Sequence, residues 1–496
     1  MKRATLVIVI ILLNFMLQAQ MHLTAGCKSA YNEILALKFG DARTLLELEK
    51  KINPENTYIV YLENYIDFLT LFIGENEDDF HFLEKNKAER IEQISKLDKD
   101  SHYKKYMQGN IHLQWAVIHL KFGEYVTAAF EINKAYRLLE TNKEKFPDFV
   151  PTNISLGILH IMIGLVPGKY QWILNLISME GNIEQGREEL SNVLQKSITD
   201  PAYAYLRTET LFYLGFIELN INPEKKKALD LLSELNEVKQ DNLLISYLVI
   251  NILIRTGQNE TALQEFEQIN DRKGYLPFYY LDYLHGECLL NKLEMTDARE
   301  KYTLFVENFS GKNYLKDAVR KKAWTYLLMG DTLKYSQTLE QVAIVGNNDV
   351  DSDKQAALDA KDASIPNLQL LKTRLLFDGG YYQKADSLLN RINPEDLSFE
   401  QNLERYYRRA RIAHEIGNLD KAKPSYLETI EQGERSRLYF AGNSALKLAG
   451  IYESEGDLKN AEYYYRSCLK MNFTEYETSI HSKAKTGLKR VEKKQD

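Results

Sequence analysis

The chain has 496 residues, a formal net charge of -7, 44% hydrophobic residues and 27% charged residues. That length exceeds one ordinary core, the composition excludes a disordered chain, and the acidic balance argues against nucleic acid or an anionic membrane as partner. Only 10 prolines and 25 glycines interrupt the chain, which suits long runs of helix because both residues are costly inside one. The 32 tyrosines suit thin folds in which a ring packs inward while its hydroxyl stays at the wet edge.

Residues 1–19 read as a signal peptide. Lys2 and Arg3 form a basic start, Ala4 to Leu17 is apolar except for Thr5 and Asn14, and Leu17-Gln18-Ala19 offers a small residue for cleavage before Gln20. The apolar run is shorter than the roughly 20 residues a spanning helix needs. The expectation is an exported protein of the periplasm or outer membrane, with the signal cleaved near Ala19. Membrane association would arise only through an uncleaved signal or a lipidated Cys27. Leu23-Thr24-Ala25-Gly26-Cys27 is similar to a lipoprotein signal, but Thr24 stands where a larger apolar residue is usual, and the apolar core ends well before the cysteine. The other reading of Cys27 is a small apolar residue in the first helix. With Cys288 and Cys468 far apart, no disulfide framework follows.

Between 20 and 200 the chain reads as helical but irregular. Gly40-Asp41-Ala42 marks a first helix–turn–helix, and Asn53-Pro54 ends it. Tyr58 to Phe72 has a dense apolar face. Ser101 to Phe122 and Tyr125 to Leu139 form a regular helical pair, and residues 146–151 form a rigid connector. The segment Leu156 to Trp172 is an apolar helix with Gly157 and Gly164 two turns apart on one face, a spacing that permits close helix contact. Pro167 interrupts it, which favours a buried core helix over a membrane span.

From 201 onward a pattern recurs. Turns fit at Gly257, Leu293, Gly330, Gly380, Gly417 and Gly456, and an earlier one at Gly123. Five residues after each turn stand Ala128, Ala262, Ala298, Ala385, Ala422 and Ala461, with Tyr335 the exception. Four further on stand Ile132, Phe266, Tyr302, Leu339, Leu389, Tyr426 and Tyr465. Seven before the turn stand Ala116, Gly286, Ala323, Ala410 and Ala449, with Ile250 and Thr373 the exceptions. An insertion near 346–366 carries alternating acids, but Lys354 and Ala360 occupy the positions where a calcium loop needs Gly and Glu. It reads as a solvated loop leading into a short helix from Lys354 to Ala363.

These residues resemble tetratricopeptide repeats, helix–turn–helix units of about 34 residues. Small residues at repeat positions 8 and 20 let the two helices approach, and a bulky residue at 24 fills the space between units. Residues 150–195, with Leu165-Val166-Pro167 and Gly181-Asn182-Ile183-Glu184-Gln185-Gly186, further resemble the inclusion-body-clearance family of repeat proteins and similar exported bacterial proteins. The resemblance implies an all-α, right-handed α-solenoid of helical hairpins, irregular in its N-terminal half. It implies an adaptor and brings no catalytic residue. The expected organisation is a signal peptide (1–19), an N-terminal helical region (20–200) and a C-terminal repeat array (201–496).

No metalloprotease, nucleotide-loop, serine-hydrolase or dinucleotide motif occurs. His112 and His119 share a helix face, with His119 at a packing position, and His285 and Cys288 are neighbours at i, i+3. Two ligands do not make a zinc site, so no metal, cofactor or catalytic residue is expected. The first helix of each repeat would line a concave face. In this register the candidate partner-binding residues are Tyr280, Tyr283, Arg320, Trp324, Arg374, Tyr407 and Arg411. Aromatics and arginine dominate binding hot spots, and an arginine can receive a carboxylate bidentately. The competing reading makes the same arginines inter-repeat salt bridges. The expected function is a non-enzymatic scaffold of the cell envelope that binds a protein or peptide. The alternative is a glycan- or nutrient-binding envelope protein similar to repeat-containing outer-membrane sugar-capture lipoproteins.

Overall fold

The structure, a computed structural model, describes residues 23–166, 179–221, 225–269, 271–362 and 364–495. The expected signal peptide and the Pro167–Trp172 end of the glycine-containing motif lie outside them. Among the described residues the regular structure is helical, with no strand, and no helix is long and apolar enough to cross a membrane.

The chain divides into two compact units, one comprising the residues up to Ile252 together with Glu267–Phe278, the other Leu253–Phe266 and Tyr279–Asp496. No division falls at residue 200 between these two units. The helices on either side of 200 pack together, and Arg187 and Glu218 form an ion pair across that point.

The helices up to that boundary are α1 (Ala25–Leu35), α2 (Phe39–Ile52), α3 (Tyr58–Gly74), α4 (Glu77–Leu83), α5 (Asn86–Ser95), α6 (His102–Lys121), α7 (Tyr125–Lys145), α8 (Thr152–Gly164), α9 (Ile183–Thr199), α10 (Arg207–Asn220), α11 (Lys225–Asp230), α12 (Leu232–Val238) and α13 (Leu243–Arg255). Gly40 lies inside α2, so the first turn was misplaced by the sequence. The turn residue is Leu37, at φ 66°. Ala30, Ala42 and Leu46 stand seven before, five after and nine after it, and all three are buried. Leu37 is itself fully buried, so packing offsets the positive φ that glycine would adopt more readily.

Among the described residues, two of the buried polar clusters of the first unit centre on Glu209 and His160. The Glu209 carboxylate accepts from the Tyr31 and Tyr65 hydroxyls, the latter at 2.6 Å. Burial raises its pKa, and the two hydroxyls offset this only in part. His160 on α8 lies with Nδ1 2.7 Å from Glu189 and Nε2 3.6 Å from Glu140. Burial opposes its charge, but the two carboxylates raise its pKa to about 9. The close helix contact expected of Gly157 is present: a Cβ on it would lie 2.9 Å from the Gly186 carbonyl oxygen, so α8 and α9 touch backbone to backbone.

The second unit contains α14 (Asn259–Gln268), whose last residues belong to the first unit, then α15 (Tyr280–Asn291), α16 (Met295–Asn308), α17 (Leu315–Leu328), α18 (Thr332–Glu340), α19 (Asp351–Asp362), α20 (Leu368–Asp378), α21 (Tyr382–Leu389), α22 (Phe399–Glu415), α23 (Leu419–Gly433), α24 (Phe440–Ser454), α25 (Leu458–Lys470) and α26 (Glu477–Gln495). All seven expected turn residues have positive φ, Leu293 included at 69°. The alanines five residues after the turns are fully buried. At Gly286 a Cβ would lie 3.0 Å from the Tyr302 ring, so the small residue before the turn and the bulky one after it meet as the repeat pattern requires.

The short helix expected in the insertion is present and begins three residues earlier, at Asp351; the alternating acids are not all solvated. It is α19, and Asp353 is fully buried. Its carboxylate accepts from the backbone N–H of Tyr314 at 2.6 Å and of Asp317 at 2.9 Å. A residue from outside the repeat thus satisfies donors at the start of α17 that have no partner within that helix.

Candidate interaction groove

Within the second unit α15, α17, α20, α22, α24 and α26 pack on one another along one face. The side chains expected to bind a partner lie on this face, and the structure separates them by what already holds them.

Tyr283 and Arg320 belong to one buried network. The Tyr283 hydroxyl donates to Asp317 at 2.6 Å. Lys321 reaches Asp317 and Glu287, each at 2.9 Å. Arg320 pairs with Asp317 and, at 2.6 Å, with Asp359 of α19. Burial alone would raise the Asp317 carboxyl, but the Lys321 and Arg320 charges and the Tyr283 hydroxyl hold it well below the ordinary carboxylate range. Tyr280 packs against Tyr283 and Tyr314, with ring centroids 5.2 Å and 4.9 Å away. Tyr407 is buried, and its hydroxyl receives Arg411 at 2.8 Å and Asn443 at 2.7 Å.

The remaining cations alternate with aromatic rings. Arg320 lies 4.8 Å and Arg374 4.6 Å from the Trp324 ring. Arg411 lies 4.8 Å from Phe377 on α20. Each arginine thus covers a ring on its own or the neighbouring repeat, an attraction of cation to π face.

Besides Arg320, whose Nε is buried without a partner, four cations on this face keep unused donors. Arg374 makes no hydrogen bond or ion pair with the described residues. Arg411 Nε is buried without a partner, and Glu415 is 3.5 Å from its Nη2. Arg255 and Lys483 are exposed and have no hydrogen-bond or ion-pair partner among the described residues. Surrounding protein, and then the Arg255 and Arg411 charges, lower the Lys483 pKa. Three cations from α13, α22 and α26 therefore face one another, with Glu415 beside Arg411.

The sequence reading named Arg374 and Arg411 but missed Arg255 and Lys483, which lie just before the first turn of the array and in the last helix. It also missed Lys321, although Arg320-Lys321-Lys322 stands as a basic run. His285 and Cys288 do not form a ligand pair: the His285 ring stacks on Phe266 at 4.3 Å, and Cys288 is fully buried. Cys27 is likewise fully buried in α1, with its sulfur 3.5 Å from Asn56 Nδ2.

The family model described as tetratricopeptide repeat matches residues 403–431 and 443–475, which fall within α22 to α25 and the short segment after it. Among solved structures the chain is similar to a monomeric mutant of IFIT1 with Gppp-AAAA, at 14% identity over 96% of both chains and a TM-score of 0.34. It is also similar to the TPR domain of P58(IPK), at 14% identity over 86% of this chain and 98% of that one, with a TM-score of 0.21. Comparison with curated proteins returns no match.

Proposed function

Because the chain is a tetratricopeptide-repeat protein, we propose that it is a non-enzymatic scaffold that holds an acidic protein segment against the inner face of its second unit. The observation that carries this reading is the group of Arg255, Arg411 and Lys483, with Arg374 nearby along the same face: Arg411 uses its donors only in part, and the other three make no hydrogen bond or ion pair with the described residues. Like charges held together raise the energy of the empty groove, and a carboxylate-bearing segment relieves that repulsion while forming charge-assisted hydrogen bonds. Trp324 and Phe377 are buried beneath these guanidiniums, so a partner would meet the charges rather than the rings. The proposed setting is the cell envelope, reached by cleavage of residues 1–19.

The test is fluorescence anisotropy with a labelled peptide rich in Asp and Glu and with its Asn/Gln counterpart. Arg255→Gln, Arg374→Gln and Lys483→Gln combined is the better probe, because Arg320 and Tyr283 support the fold. The expected result is binding of the acidic peptide alone, weakened at least about tenfold in the triple variant and by added salt. Equal binding of the two peptides, or an unchanged triple variant, overturns the reading.

A further inference from the structure

We propose that Glu84, His119 and Glu124 form a binding site for a divalent transition-metal ion, in which His119 Nε2 and Glu84 are the ligands and Glu124 holds the other imidazole nitrogen. The site lies in the first unit, apart from the groove, and does not depend on the function proposed above.

His119 sits in the last turn of α6 and has no exposed surface. Its Nδ1 is 2.7 Å from Glu124 Oε2. An ionised carboxylate can only accept, so Nδ1 carries the hydrogen. The opposite nitrogen, Nε2, is buried and has no hydrogen-bond partner. It faces Glu84 Oε1 across 3.8 Å. In the neutral tautomer this sets a nitrogen lone pair against a carboxylate oxygen with no donor between them, and a buried polar atom left in that state is costly. The separation is too long for a hydrogen bond. It fits two ligands sharing one ion at about 2.0–2.2 Å each.

The arrangement has the form in which a metal-binding histidine is oriented by a carboxylate on its second nitrogen. The three side chains offer donor atoms within 4.8 Å of one another. The Glu84 and Glu124 side chains are 39% and 41% exposed, so water can reach the ion and complete its shell. An imidazole nitrogen beside a carboxylate suits Zn²⁺ better than Ca²⁺ or Mg²⁺. The apolar wall is formed by Phe80 and Trp115, whose rings lie 5.7 Å and 6.0 Å from the imidazole.

Glu84 follows α4 directly, and Glu124 directly precedes α7. An ion between Glu84 and His119 would tie the end of the short helix α4 to the α6–α7 turn. Phe80 already stacks on Phe122 across that junction at 4.5 Å. From the sequence His119 reads as a packing residue, and two side chains alone do not make a zinc site; Glu84, from 35 positions earlier, adds a carboxylate that the sequence does not place there, and water would have to fill the remaining positions of the shell.

The competing state is an imidazolium lying between two carboxylates, with a proton where the ion would be. Calorimetric titration of the chelator-treated full chain with Zn²⁺, together with ¹⁵N shifts of the His119 ring at pH 8, separates the two. The expected result is one Zn²⁺ per chain, a moved Nε2 resonance, at least tenfold weaker binding in Glu84→Gln, and weakening of about 10–100-fold in Glu124→Gln. Glu84 is half exposed, so its substitution leaves the fold intact even where His119→Gln does not. No stoichiometric binding, a protonated Nε2 in the presence of Zn²⁺, or full affinity in Glu84→Gln overturns the proposal.

Discussion

Gly257 and Gly380, turn residues of two different repeats, touch through their backbones: a Cβ on Gly380 would lie 1.8 Å from the Gly257 carbonyl oxygen. Their φ angles are 73° and 80°, so each is glycine for its own turn and for the contact. Gly417 has the same backbone, at 79°, but nothing lies within 4 Å of its missing Cβ. Gly417→Ala should cost about 1–2 kcal/mol for the left-handed conformation alone. Gly380→Ala must also push two turns apart and should cost clearly more. Urea unfolding of both variants checks this, and equal losses would show that the turn contact has no weight.

The repeats were legible because their constraints are local. A positive φ, a small residue seven before it and another five after it lie within one helical hairpin, and they placed Gly123, Gly257, Leu293, Gly330, Gly380, Gly417 and Gly456 correctly. Leu37 obeys the same spacing with Ala30, Ala42 and Leu46. It was missed because Gly40, three residues on, offered a more obvious turn. Leu37→Gly separates the contributions at this position: it relieves the positive φ but removes a fully buried side chain. Since burial of a leucine is worth about 1.5–3 kcal/mol and a left-handed residue costs about 1–2 kcal/mol, the variant should be destabilised or neutral in thermal unfolding. A clear gain in stability would contradict the packing account.

Arg320 and Arg374 flank one ring, that of Trp324, yet they should respond differently to substitution. Arg320→Ala leaves Asp317, 1% exposed in its side chain, without one of its two cations. Breaking such a buried pair costs about 3–5 kcal/mol. Arg374→Ala removes a cation–π contact worth about 0.5–1 kcal/mol and no ion pair. Denaturation midpoints should therefore fall sharply for the first and little for the second, whereas binding of an acidic peptide should weaken for the second. The sequence could show that arginines and aromatics share this face. It could not show which arginines are already paired, because Asp353 and Asp359 come from the insertion, 39 positions from Tyr314 and Arg320 respectively.

Glu209 is a buried carboxylate hydrogen-bonded by two tyrosines, and its pKa is raised chiefly by burial. A raised folded-state value means that the folded protein holds this proton more tightly than the unfolded chain. Glu209 therefore favours folding at low pH, and that advantage is lost as pH rises from the ordinary carboxyl value through the raised one. Glu209→Gln removes the charge and keeps an acceptor for one tyrosine. Relative to the native chain it should gain stability from pH 4, below the ordinary carboxyl value, to pH 8, measured by urea unfolding at both. An unchanged difference at the two pH values would mean that Glu209 titrates normally.

His160 shifts in the direction that opposes charge loss. Its pKa of about 9 lies above the ordinary 6.5, because the Glu140 and Glu189 carboxylates outweigh burial. The stabilisation it provides is complete below pH 6.5 and is lost as pH rises through 9. The shift corresponds to at most about 3 kcal/mol, and less in practice because Glu140 is 35% exposed and screened by solvent. His160→Gln should therefore be clearly less stable than the native chain at pH 6 and nearly equal to it at pH 9.5. Gly181 packs directly on this ring, where a Cβ would lie 2.8 Å from the His160 Cα, so part of any loss in the variant could be steric. A steric loss is independent of pH, whereas the ionic loss is confined to pH values below about 9. A stability gap between the two chains that does not narrow from pH 6 to pH 9.5 would remove the charged His160 from the account and leave a packing role alone.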